Sequence, residues 1–165
     1  MALEVEHKFL VVSDEWRKHV FESKLMRQGY LSNNPHASVR VRIEGQEANI
    51  NVKGMTIGIQ RLEYEYPIPF ADAAELLDKL CTKPLIDKTR HLVEFAGKRW
   101  EVDEFAGENA GLIVAELELK QAGEAFEKPT WAGKDVSGIV RYYNVSLQKY
   151  PYAQWTAAEQ QGQDA

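Results

Sequence analysis

The chain has 165 residues, 44% of them hydrophobic and 27% charged, with a net charge of −5. That is enough for one domain with a substantial core, and the negative balance argues against general adhesion to nucleic acid or anionic membranes while leaving room for a local basic site. Cys81 is the only cysteine, so no internal disulfide can form and a reducing, cytoplasmic setting is expected; no apolar run approaches membrane-span length, and the charged N-terminus does not read as a signal peptide.

A first strand is expected over residues 2–12. Alternate side chains of a strand share a face, which aligns Glu4, Glu6 and Lys8. Glu and Lys are poor strand formers, so something other than local propensity must account for them. Ser13 stands as an N-cap with Asp14 and Glu15 behind it. Trp16, Val20, Phe21 and Leu25 then recur at helical spacing, predicting a helix over 14–26. A second strand over 27–31 ends at Ser32-Asn33-Asn34-Pro35. Further strands are predicted over 38–44, 48–53 and 59–67, the middle pair joined by a turn between Gly54 and Gly58. A second helix over 71–82 is stopped by Pro84, and strands follow over 87–95, 98–105 and 112–120. Short helices are expected at 122–127 and within 137–149. A polar tail from about Thr156 should fray, so the domain is taken as residues 1–155.

Eight strands joined mostly by short turns favour antiparallel up-and-down pairing, and eight can close into a barrel that holds side chains or one small ligand. The expected fold is α+β: an eight-stranded antiparallel barrel, or tunnel, with the two longer helices packed outside. One strand face carries Glu4, Glu6, Glu63, Glu65, Glu101, Asp103, Glu116 and Glu118 with Lys8, Arg40, Arg42, Lys53, Arg61, Lys88, Arg90, Arg99 and Lys120. A sheet with its polar face in water would show the same alternation. Solvated strands favour Thr and Ser there, however, whereas this face is nearly all ionic. Buried ions each lose several kcal/mol of hydration. A charged interior therefore needs water, pairing and a ligand of matching charge. Clustered bases call for a polyanion, and clustered carboxylates for a hard divalent cation. A polyphosphate carrying Mg²⁺ or Mn²⁺ meets both demands, with Arg forks suited to phosphate oxygens.

The ordered set Glu4-x-Glu6-x-Lys8, Arg40-x-Arg42, Lys53, Arg61-x-Glu63-x-Glu65, Lys88-x-Arg90, Asp103 and Glu116-x-Glu118 resembles the CYTH, or triphosphate tunnel metalloenzyme, family. Gln28-Gly29-Tyr30 and Arg141-Tyr142-x-Asn144 extend the match. The likeness is to short bacterial tripolyphosphatases. It implies an eight-stranded tunnel and metal-dependent hydrolysis of a small-molecule triphosphate. It assigns metal binding to Glu4, Glu6 and Glu118, with Glu116 nearby. It assigns phosphate binding to Lys8, Arg40, Arg42, Lys53, Lys88 and Arg90, of which Lys8, Arg40 and Arg42 are the catalytic candidates. Glu63, Glu65 and Asp103 match further tunnel acids. Adenylyl cyclase, thiamine or nucleoside triphosphatase, and a polyphosphate-binding module without turnover are the alternatives on such a scaffold. The short C-terminal segment argues for access at both tunnel ends.

The remaining polar candidates read as structural. Arg61, Arg99, Glu101 and Lys120 are expected to pair or line a rim. His7 and His91 fall on the opposite strand face, and His19 and His36 on the surface. Gly54–Gly58 lacks the Gly-Lys-Ser/Thr ending of a P-loop. Trp131, Tyr142 and Tyr143 are expected in the core or at a tunnel mouth.

Overall fold

The computed structural model describes residues 3–163; Met1 and Ala2 at the expected first strand, and Asp164 and Ala165 in the tail, lie outside the described residues. Among the described residues nine strands form: β1 (Leu3–Val11), β2 (Val20–Ser32), β3 (Ala37–Glu44), β4 (Glu47–Gly54), β5 (Gln60–Pro67), β6 (Thr82–Phe95), β7 (Lys98–Phe105), β8 (Ile113–Leu119) and β9 (Ala132–Asp135). The first eight pair antiparallel in the order β5-β4-β3-β2-β6-β7-β8-β1. β1 then returns to β5 through Leu3↔Leu62, Glu4↔Arg61 and Val5↔Gln60, closing the barrel. β9 pairs with the far end of β1 at Phe9 and Val11. Helices are few: α1 (Phe70–Lys79), α2 (Asn144–Lys149) and α3 (Ala157–Gln160). Among the described residues no helix is long and apolar enough to cross a membrane.

The predicted helix over 14–26 does not form. Residues 15–19 make a short 3-10 turn that buries Trp16, and Val20–Ser32 is one long strand. The helical spacing there is coincidental, since Phe21 and Leu25 point outward and stay exposed. Pairing with β6 from Val20 to Tyr30 on one edge and with β3 on the other outweighs local pattern. β6 likewise begins earlier than expected, at Thr82. No helix forms at 122–127. The 137–149 segment is helical in two pieces, a 3-10 turn at Val140–Tyr142 and α2. β9 carries no sequence pattern that announces it, being the short run Ala-Gly-Lys-Asp. Residues 156–163, read from sequence as a fraying tail, hold one turn of helix with a complete capping box between Thr156 and Glu159.

Apolar packing lies on the barrel's outside and across one end. Outside β1, β7 and β8, Val5, Phe9, Trp100, Val102 and Leu117 pack with Trp16 and Trp131. α1 seats Ala73 and Leu77 against Val41 and Ala48. Gly29 makes that seat possible: a Cβ there would stand 2.7 Å from Leu85 Cδ2 and 2.9 Å from Cys81 Cβ. Gly29→Val should therefore push α1 off the barrel and destabilise the protein by about 1–3 kcal/mol. Urea unfolding checks this; an unchanged midpoint would mean the α1 contact contributes nothing.

The third apolar cluster seals the barrel. Leu10, Ile86, Phe105 and Val114 continue the inward-facing registers of β1, β6, β7 and β8 beyond the charged stretch. Val136, Tyr142, Leu147 and Trp155 from the C-terminal segment pack on them. One tunnel end is thus closed, which corrects the expectation of access at both ends. The apolar inward positions were the legible signal: bare in water they would be costly, so something had to cover them.

Candidate active site

Inside the barrel is a cavity of about 420 Å³. The expected site residues Glu4, Glu6, Lys8, Arg40, Arg42, Lys53, Glu63, Glu65, Lys88, Arg90, Glu116 and Glu118 all line it. Strand parity brings them there: once the apolar faces pack outward, the alternate positions of β1, β3, β4, β5, β6 and β8 point to a common axis. Tyr30 lines the wall from β2, with Gln28 wholly buried beside it. Asp103 does not reach the cavity surface; it is buried beneath the bases. Arg61, Arg99 and Glu101 line the cavity although sequence suggested the rim or pairing, and Lys120 does not. Glu44 and Ser137 also line it and were not singled out; Tyr143, expected in the core or at a tunnel mouth, and Asn144 line it too. Asn144, part of the Arg141-Tyr142-x-Asn144 match, comes from the segment that seals the barrel, and tertiary contact is what places it in the cavity wall.

The base of the site is an ionic network. Asp103 accepts from Lys88 Nζ at 2.7 Å, Arg90 Nε at 2.8 Å and Arg90 Nη2 at 2.9 Å. Arg90 also donates to Glu101 at 2.9 Å and to Glu116 at 3.4 Å. Burial opposes ionisation of Asp103, but Arg90 and Lys88 outweigh it and hold the carboxyl well below its usual range. Burial, with the Arg90 charge beside it, pushes the Lys88 ammonium down to about 8. The end wall contributes too: Lys8 Nζ donates to the Tyr142 carbonyl at 3.2 Å, and Asn144 Oδ1 accepts from Gln28 Nε2 at 2.9 Å and from Lys88 at 3.3 Å.

Toward β5 the carboxylates crowd one another. Glu6 faces Glu118 directly across β1 and β8, and Lys8 faces Glu116. Burial first, then the charges of Glu116 and Glu4, push Glu6 up to about 8. Glu63 rises to about 7 through burial and a hydrogen bond shared with Glu4. Glu4 goes the other way: burial is outweighed by that same bond and by the charges of Lys53 and Arg61, with Arg61 Nε donating to it at 3.1 Å. Glu118 is raised by burial and by Glu4 and Glu101. Arg42 is lowered by burial and by its cationic neighbours Arg40 and Arg90.

Among the described residues no three His, Cys, Asp or Glu side chains form a ready-made metal cage. The donor set nonetheless fits a hard divalent ion. Burial, with the charges of Glu116 and Glu4, raises Glu6, and a cation among Glu4, Glu6, Glu116 and Glu118 would offset both. Mg²⁺ in particular takes one or two carboxylates plus substrate phosphates and water, not a closed protein cage. His7 and His91 are no part of this. His7 meets Asp135 at 2.9 Å, and His91 lies between Ser23 and Glu104, both on the outer face as expected.

A closed antiparallel β-tunnel, sealed at one end and lined by interleaved acids and bases, defines a protein that holds a compact, highly charged anion. The chain belongs to the CYTH domain family, whose model matches residues 2–149. It is 47% identical over 152 residues to an inorganic triphosphatase of Acetivibrio thermocellus, covering 92% of this chain and 97% of that one. It is 33% identical over 150 residues to an inorganic triphosphatase of Nitrosomonas europaea, covering 87% and 95%. A crystal structure of an inorganic triphosphatase superposes with a TM-score of 0.63 at 30% identity, over 90% of this chain and 95% of that one.

Proposed function

We propose that the protein hydrolyses inorganic tripolyphosphate to pyrophosphate and phosphate, with Mg²⁺ or Mn²⁺ as cofactor. The observation that carries the reading is the cavity's charge balance. Eight bases and eight carboxylates line about 420 Å³ among the described residues. Such a space is close to neutral when empty, so a bare polyanion would displace carboxylates from their bases. A polyanion arriving with divalent cations leaves both sets paired. The two relatives named above support the same substrate.

Phosphoryl transfer asks the protein mainly for position and charge neutralisation. Arg40, Arg42, Lys53, Lys88, Arg90 and Lys8 would grip the phosphate oxygens and stabilise charge on the leaving pyrophosphate. Glu4, Glu6, Glu116 and Glu118 would hold the divalent ion, which when bound neutralises phosphate oxygens and orients the chain for in-line attack. The sealed end fixes how far a linear substrate can enter: its leading phosphate meets Lys8, Lys88 and Asn144. Water attacks the terminal phosphorus from the open side, and a carboxylate of the acidic cluster takes its proton.

The test is incubation with tripolyphosphate, ATP or thiamine triphosphate, each with Mg²⁺, Mn²⁺ or chelator, reading phosphate, pyrophosphate and cyclic AMP. Metal-dependent release from tripolyphosphate is expected. Cyclic AMP from ATP would replace this reading with a cyclase, and tight binding without release would replace it with a binding module. Saturating tripolyphosphate with metal should also raise the melting temperature, since it binds only the folded cavity.

A further inference from the structure

Five bases lining the cavity are buried: Lys8, Arg40, Lys53, Lys88 and Arg90. Four of them pair with carboxylates. Arg40 makes no ion pair among the described residues. Its side-chain partner is an amide: Arg40 Nε and Nη2 both donate to Asn51 Oδ1, at 3.3 and 3.1 Å. Asn51 is wholly buried, and its Nδ2 donates to Glu65 at 3.0 Å and Glu63 at 3.5 Å. The orientation of the amide is dictated by chemistry, because guanidinium can only donate and a carboxylate can only accept. The register places it in line: Arg40 on β3 faces Asn51 on β4, which faces Glu65 on β5.

A carboxylate at residue 51 would neutralise Arg40. A small side chain there would leave Arg40 free to turn toward Glu63 or Glu65, with the same result. The amide instead accepts from the guanidinium and donates to the acids, satisfying both while keeping them apart. We propose that Asn51 is a positioning residue: a neutral spacer that orients Arg40 and preserves its charge for a substrate phosphate. This rests on the reading that the cavity takes tripolyphosphate.

The test is a double-mutant cycle on tripolyphosphate affinity, measured by calorimetry in chelator with wild type, Asn51→Asp, Arg40→Met and the double variant. Asn51→Asp matches asparagine in size and should raise Kd roughly 10-fold to 100-fold, the range for losing one charge-assisted bond. In the Arg40→Met background the same change should cost much less, because the guanidinium it captures is already gone and only the added carboxylate's repulsion of the anion remains. A merely structural role would cost the same in both backgrounds, and that result overturns the proposal, as does an Asn51→Asp affinity equal to wild type. If Asn51→Asp does not fold, Asn51→Ala takes its place, with the same non-additivity expected. Where wild type binds only with Mg²⁺, the same cycle is read as kcat/KM with Mg²⁺; wild type that neither binds nor turns over tripolyphosphate with Mg²⁺ overturns the proposed function and this inference together, and additive losses overturn this inference alone.

Discussion

Asp103→Ala is expected to destabilise the protein by about 3–5 kcal/mol, the cost of breaking a buried ion pair from one side. Asp103 is completely buried and is the carboxylate that both Lys88 and Arg90 share. Without it Arg90 keeps Glu101 and Glu116, but Lys88 keeps, as hydrogen-bond acceptor, the side-chain Oδ1 of Asn144 at 3.3 Å. An ammonium with about 1% of its side chain exposed would then stand without a counter-charge. Urea unfolding of both proteins at neutral pH measures the loss. The pH dependence supplies a second check. Asp103 is held below its ordinary value of 3.8 in the folded protein. Its contribution is therefore complete above the unfolded value and lost as pH falls below it. The gap between wild type and Asp103→Ala should narrow on acidification below about pH 4. A gap that is small at neutral pH, or that widens in acid, would show that the Lys88–Asp103–Arg90 cluster does not support the barrel.

Arg42→Leu is expected to lower kcat/KM for tripolyphosphate by about 10²–10³-fold, the range for removing one preorganised electrostatic contact. The same change should leave the stability of the ligand-free protein equal or higher. Arg42 is disfavoured as a cation by burial and by Arg40 and Arg90. Its Nε is buried with no hydrogen-bond partner. One of its carboxylates, Glu65 at 2.8 Å, is half exposed and can turn to water. Arg42 thus stands beside two further guanidinium groups whose charges oppose its own; a phosphate would relieve that repulsion, and sites of this kind trade stability for activity. Steady-state kinetics with thermal melts decides the matter. Full activity would remove Arg42 from the phosphate grip. A stability loss as large as that of Asp103→Ala would make it a structural ion.

The contrast between these two residues was not legible in the sequence, where both are simply charges on the polar side of a strand. Parity told which face they occupy, and the ordered motifs told which family they resemble. It did not tell that Asp103 lies under the cavity surface while Arg42 lies on it. Depth depends on where each strand sits along the barrel axis, and that is set by register with neighbours distant in sequence. Arg61 and Glu101, expected to pair or line a rim, do pair, with Glu4 and Arg90; that the β1–β5 closure and the β7–β8 pairing also carry them into the cavity wall was not visible in the residues alone.

What the sequence determined by itself was local in origin. A period of two, repeated through Glu4-Val5-Glu6, Arg40-Val41-Arg42 and Glu116-Leu117-Glu118, separates an ionic face from an apolar one at every strand. That was enough to place the charges on one side of an antiparallel sheet. Tertiary structure alone decided that Val20–Ser32 is strand and not helix, that β1 meets β5 to remove both edges, and that residues 136–155 close one end over Leu10, Ile86, Phe105 and Val114. These outcomes rest on contacts between segments far apart in the chain. Their free energy exceeds any local preference, and a pattern that repeats every second residue carries no record of them.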